Sequence, residues 1–198
     1  MNHFKDLLAK LLLATLLLGG AGQAAAGPAY SITIDTSTLG AGPAYLGLYF
    51  LGLADAAPAT ATVDNLSGTL SGPASLTGQV AGSASGPFVF NSGGGGGDLV
   101  QEVTLGGVLS FNVSFTLGAG NAGSTFGWAL FNQSSYLGAD GDLGTVSLQP
   151  GGAPADAYVV NNFSALSSVQ PVPEPSSIAL LLAGLLLLAF HRRLLTRK

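Results

Sequence analysis

Two aspartates one residue apart, Asp140 and Asp142 around Gly141, are the acids in this chain best placed to hold a metal ion. The glycine permits a tight turn, so both carboxylates can converge on a hard cation such as Ca²⁺, with backbone carbonyls as further ligands. Asp156 is close enough in sequence to join from a neighbouring loop. No glutamate stands at the twelfth position that an EF-hand loop requires, and an Asp-Gly turn also forms with no metal in it. Calcium is the one cofactor these residues leave open; no other is expected.

Other chemistries fail for want of residues. Paired carboxyl groups can serve a glycosidase at a set separation. Glu102 is the only glutamate between Gly27 and Glu174, however, and the Gln101-Glu102 pair reads as an exposed strand position carrying surface charge. Ser92–Asp98 (SGGGGGD) has the glycines of a phosphate loop but no Gly-Lys-Ser/Thr ending and no following helix, so a flexible connection between strands is expected. The segment from Gly27 to Pro171 contains no His, Lys, Arg or Cys. Serine and cysteine nucleophiles with a histidine base, Ser–Lys pairs and histidine-ligated zinc are therefore excluded, and no catalytic residue is assigned. Trp128, Tyr45, Tyr49, Tyr136 and Tyr158 offer rings that can stack on sugars, although aromatics in strands usually belong to the core. Asn65, Asn112, Asn132 and Asn162 each begin an N-x-Ser sequon, a pattern that chance also supplies in a chain rich in serine and asparagine.

Charge narrows the partners. All six basic residues and both histidines lie outside Gly27–Pro171, which carries eight acids. The whole-chain charge of −4 thus conceals a middle segment near −8. Such a surface repels phosphates, so no nucleic-acid partner is expected. It also has no guanidinium to clamp an anionic ligand. Without cysteine, the fold must be held by apolar burial and backbone ladders.

The elements that must position these residues read as strands. Tyr30–Asp35 alternates strictly, with Tyr30, Ile32 and Ile34 on one face. Val108–Leu117 is the cleanest strand: Phe111, Val113, Phe115 and Leu117 point one way, and Ser110, Asn112, Ser114 and Thr116 the other. Thr125–Asn132 sets Phe126, Trp128 and Leu130 against Phe131. Weaker strands are predicted at Tyr45–Leu51, Thr60–Leu66, Phe88–Asn91, Leu99–Leu105, Thr145–Leu148 and Ala157–Val160. Turns are predicted at Ser67-Gly68, Ser71-Gly72-Pro73, Gly106-Gly107 and Asp140-Gly141. The expected fold is all-β, a single antiparallel β-sandwich of jelly-roll-like or immunoglobulin-like outline over residues 27–170.

Both flanks read as targeting segments. At the N-terminus, Lys5 and Lys10 precede the apolar stretch Leu11–Leu18, and Ala24 and Ala26 form an A-x-A site. Residues 1–26 are thus expected to be a signal peptide cleaved after Ala26. At the other end, Pro173, Glu174 and Pro175 precede two serines, the apolar run Ile178–Phe190, and then Arg192, Arg193, Arg197 and Lys198. The prolines oblige a helix to begin after Pro175, and the basic cluster favours the cytoplasmic side. The run of 13 residues gives about 20 Å of helix against a bilayer core of about 30 Å. A transmembrane helix over about 176–195 is expected, short enough to suit a temporary stop better than a permanent anchor.

This ordered tail resembles the PEP-CTERM protein-sorting signal of Gram-negative bacteria, and the resemblance covers Val172–Lys198. It implies recognition and processing near the triplet by a membrane transpeptidase of the exosortase type, with transient residence in the inner membrane. The segments YSITIDTSTLG, AYLGLYF, ATATVDNLSG and SFNVSFTLGAG…GSTFGWALF further resemble a group of exported β-sandwich proteins with such tails. That likeness bears on fold and carries no activity. The expected function is therefore an exported, non-catalytic cell-surface or extracellular-matrix protein, associated with exopolysaccharide or biofilm. The alternative is a carbohydrate- or calcium-binding surface module delivered by the same route.

Overall fold

A computed structural model describes residues 27–83, 85–151, 157–172 and 184. The strands are β1 (Ala29–Asp35), β2 (Pro43–Gly52), β3 (Ala59–Ser67), β4 (Leu70–Gly78), β5 (Val80–Ala81) and β6 (Phe88–Asn91), followed by β7 (Gly97–Thr104), β8 (Val108–Leu117), β9 (Ser124–Phe131), β10 (Asp142–Leu148), β11 (Tyr158–Asn162) and β12 (Ser167–Val172). They form two six-stranded antiparallel sheets, ordered β12-β1-β8-β3-β6-β5 and β11-β10-β9-β2-β7-β4. The all-β sandwich expected from the alternating sequence is what the described residues from 27 to 172 adopt. The predicted signal peptide and the predicted helix over 176–195 lie outside the described residues, apart from Gly184.

Period-two patterning explains which faces meet. In β8, Leu109, Phe111, Val113 and Phe115 are buried, while Ser110, Asn112 and Ser114 face outward. In β2, Ala44, Leu46, Leu48 and Phe50 enter the core, leaving Tyr45, Gly47 and Tyr49 on the outer surface. Between the sheets the aromatic rings form one contiguous cluster. Phe115 lies 5.8 Å from Phe126, 6.1 Å from Tyr158, 6.2 Å from Tyr30 and 6.4 Å from Phe50. Phe126 continues the cluster to Phe90 at 6.0 Å, edge to face.

Three strands have no counterpart in the sequence reading: β4, β5 and β12. The Ser71-Gly72-Pro73 signal, expected to be a turn, lies inside β4. There the pairing with β7 skips from Ser71 to Ser75, and Gly72 adopts a left-handed φ of 63°. A bulge on an edge strand tolerates both the glycine and the proline. The skip leaves carbonyls without ladder partners, and Gln101 supplies them from β7. Gln101 is fully buried, and its Nε2 donates to the carbonyls of Ser71, Gly72 and Glu102 at 2.9, 3.3 and 3.0 Å. Only Glu102 of the Gln101-Glu102 pair is exposed, as alternation along a strand demands.

The glycine-rich segment Ser92–Asp98 does connect two strands, β6 and β7, with its last two residues taken into β7. Gly93–Gly95 form a single 3-10 turn, and Gly97 and Asp98 already belong to β7. Gly96 is buried with φ 93°, and a Cβ there would overlap the carbonyl of Phe50. The glycines are used for close backbone packing.

Emptying the Phe115 site should destabilise the domain by about 3–5 kcal/mol for Phe115→Ala, since the ring contacts both sheets. The outward-facing Ser114→Ala should change stability by less than about 0.5 kcal/mol. Urea denaturation of the two variants checks this; equal midpoints would mean that the faces of β8 are misassigned.

Candidate functional site

The outer face of the second sheet gathers most of the residues with chemical potential. Tyr45 and Phe131 pair across β2 and β9, their ring centroids 5.7 Å apart and the planes 26° from parallel. Tyr136, from the loop after β9, packs edge-on against Phe131 at 6.1 Å and is 56% exposed. The ring of Phe131 lies over Gly47, where an added Cβ would come within 3.0 Å of it. Glu102 on β7 stands opposite Tyr45 on the other flank, exposed on the same face. Two shallow depressions of about 260 and 290 Å³ lie on either side of Asn132, the first beside Tyr45 and the second between Phe131 and Tyr136.

The loop that carries Tyr136 is fixed by its own side chains. Asn132 Oδ1 accepts from the backbone N–H groups of Ser134 and Ser135 at 2.8 and 2.9 Å, an Asx turn. Two backbone bonds, from Asn132 N to Ser135 O and from Leu137 N to Leu130 O, close it onto β9. Asn132 Nδ2 makes no hydrogen bond among the described residues.

A second arrangement on this face takes up one of the predicted metal ligands. Tyr49 stands opposite Gly127, and Asp142 opposite Ala129, so one strand separates the tyrosine from the acid. With no side chain at Gly127, the ring of Tyr49 lies flat over β9, and its hydroxyl donates to Asp142 Oδ2. Burial first, then the hydrogen bond and negative charge of Asp142, raise the Tyr49 pKa well above the usual phenol range. Asp140 is exposed and joins Asp142, Gly141, Ala139 and Phe163 around an open hollow of about 330 Å³. Among the described residues, no three acids or histidines cluster there or elsewhere. Asp156 lies outside the described residues.

The other singled-out residues fall apart. Trp128 is fully buried, its ring against Gly144 and its Nε1 donating to Ser167 Oγ at 3.0 Å, so it stacks on no external ligand. Tyr158 packs on Phe115, and burial raises the pKa values of both Tyr158 and Tyr30. A cleft of about 380 Å³ near Pro58 and Thr116 contains Ser92. That hydroxyl accepts from Ala59 N at 3.0 Å and donates to Ala57 O at 3.2 Å, which makes it a structural bridge. Among the sequon asparagines, Asn65 is exposed at φ 53°, Asn112 lies within β8, and Asn162 Nδ2 donates to Ser167 O at 2.8 Å.

The predicted sorting residues Pro173, Glu174, Pro175, Arg192 and Arg193, and the predicted cleavage residues Ala24 and Ala26, lie outside the described residues. No helix among the described residues is long and apolar enough to cross a membrane. What the fold does show is their attachment. β12 pairs antiparallel with β1 from Ser167↔Ile34 to Val172↔Ala29. The chain therefore enters and leaves the sandwich side by side, and the last paired residue directly precedes Pro173 in sequence.

The Tyr49 contact has a measurable consequence. Tyr49→Phe should cost about 1–2 kcal/mol at pH 7, because a half-buried carboxylate loses its donor. The phenol has a higher pKa folded than unfolded. Its contribution is thus complete below about pH 10 and is lost as pH rises through the folded value. The gap between wild type and variant should narrow from pH 7 to pH 11 in urea titrations.

Comparison with known proteins bears on the tail. No curated protein and no solved structure matches the chain. The profile of the PEP-CTERM protein-sorting motif matches residues 171–198, beginning at the last two residues of β12. Such signals are recognised by exosortase, a membrane protein. The chain therefore carries, directly on the final strand of its sandwich, the sorting signal of an exported protein destined for the cell envelope or surface.

Proposed function

We propose that the protein is a non-catalytic component of the cell surface or extracellular matrix, associated with exopolysaccharide or biofilm after sorting by exosortase. The observation that carries this reading is the overlap between fold and address: Pro171 and Val172 belong both to β12 and to the sorting motif. An enzyme acting near the triplet would work next to a hydrogen-bonded strand, and the whole sandwich would remain on the product. The composition supports a passive role. Between Gly27 and Pro171 there is no histidine, lysine, arginine or cysteine to activate a nucleophile or stabilise an oxyanion.

A second reading, a carbohydrate- or calcium-binding module delivered by the same route, draws on the outer face. The Tyr45–Phe131–Tyr136 shelf favours its glycan form. Its calcium form rests on Asp140 and Asp142, of which Asp142 already accepts from Tyr49.

Replacing Pro173, Glu174 and Pro175 together by alanine should leave export intact and retain the protein, with its tail, in the inner membrane. Fractionation and intact-mass measurement of the recovered protein test this. A triple variant processed and located like the wild type would show that the triplet is only a linker.

A further inference from the structure

We infer that the Tyr45–Phe131–Tyr136 shelf is a binding site for an uncharged polysaccharide, an inference that rests on the glycan-binding reading above and gives it a location and a ligand class. Three observations converge on it. The first is that these aromatics are spared from the core. The inward faces of β2 and β9 are filled by Leu46, Leu48, Phe50, Phe126, Trp128 and Leu130, so Tyr45 and Phe131 are surplus to the sandwich. Tyr136 belongs to no strand and stays 56% exposed. An aromatic ring held at a surface, as Tyr136 is beside the half-buried Tyr45 and Phe131, can stack on the C–H face of a pyranose.

The second observation is the polar rim. A sugar needs donors and acceptors for its hydroxyl groups around the stacking surface. Asn132 Nδ2, between the two depressions, has no hydrogen-bond partner among the described residues and can donate, and Gln133, Ser134 and Ser135 expose further groups beside it. Glu102, next to Tyr45 on the flank, is a carboxylate that can accept from hydroxyls. The loop is held by its Asx turn and by backbone bonds to β9 before any ligand arrives, which lowers the ordering cost of binding.

The third observation is charge, and it selects the ligand class. Gly27–Pro171 has eight acids and no base, and Glu102 adjoins the shelf itself. A polyanionic glycan would be repelled with no cation to receive its acid groups. An uncharged chain meets neither obstacle. The two hollows, about 260 and 290 Å³ on either side of Asn132, offer room for successive sugar units of one strand.

Affinity electrophoresis of the full chain, purified in detergent, tests this in gels containing hydroxyethylcellulose, galactomannan or alginate. The wild type should be retarded by an uncharged polymer and not by alginate. Tyr136→Ala should weaken retardation about tenfold or more, a loss of about 1.4 kcal/mol. Tyr136→Phe, which keeps the ring, should preserve it, and melting temperatures should match for all three proteins. Retardation that Tyr136→Ala and Tyr45→Ala leave unchanged would move binding off the shelf while sparing the glycan-binding reading. Retardation by alginate alone would overturn the ligand class. No retardation by any polymer would remove the glycan-binding reading itself. Sedimentation showing that Tyr136→Ala dissolves a dimer would make the shelf a contact between copies of this chain.

Discussion

The aromatic cluster between the two sheets is the interaction on which the rest of the structure depends. With no cysteine in the chain and no base between Gly27 and Pro171, neither disulfides nor side-chain ion pairs are available to hold the domain. Apolar burial must do so, and Phe50, Phe90, Phe111, Phe115, Phe126 and Trp128 are each essentially excluded from solvent. Rings from both sheets meet edge to face, as with Phe111 and Phe126 at 6.4 Å and Phe111 and Trp128 at 6.5 Å. The cluster also reaches the C-terminal edge, because Trp128 Nε1 donates to Ser167 at the start of β12.

Filling the interior with large rings leaves the outer face of the second sheet to a different arrangement. Glycines at positions 47 and 127 leave gaps on the strands, and the rings of Phe131 and Tyr49 lie into them. A glycine weakens a strand, and a ring laid over it restores contact across the pair. The same device thus stabilises β2 and β9 and covers their outer face with rings. Tyr49 is tied down by Asp142, whereas Tyr45, Phe131 and Tyr136 have no side-chain hydrogen bond among the described residues. That difference separates the structural part of this face from the part available to a ligand.

The pairing of β1 with β12 links the fold to delivery. Both ends of the sandwich emerge from adjacent strands, with Ala29 opposite Val172. β12 is an edge strand, yet Trp128 and Asn162 bond to Ser167 at its beginning. It is anchored where it starts, six residues before Pro173, the first residue of the triplet. A strand of this kind can remain in place when the chain is cut beyond it.

The sequence by itself determined the sorting address, the β class and the inward faces of the strong strands. Proline placement, a short apolar run and terminal arginines are local signals, and alternation in Tyr30–Asp35, Val108–Leu117 and Thr125–Asn132 encodes burial directly. The absence of histidine, lysine, arginine and cysteine between Gly27 and Pro171 is likewise legible without reference to shape. Tertiary structure decided what depends on pairing. β4 and β12 have little alternation and mixed polarity, so only their neighbours β7 and β1 make them strands. Gln101 is buried because the β4 bulge leaves carbonyls that need a donor, a demand raised 30 residues away. Asp142 meets Tyr49 across an intervening strand, and Tyr45, Phe131 and Tyr136 become one surface only through the β2–β9 register. Local patterning records which way a side chain points; which other side chain it then meets is set by register between distant strands, and no single segment contains that.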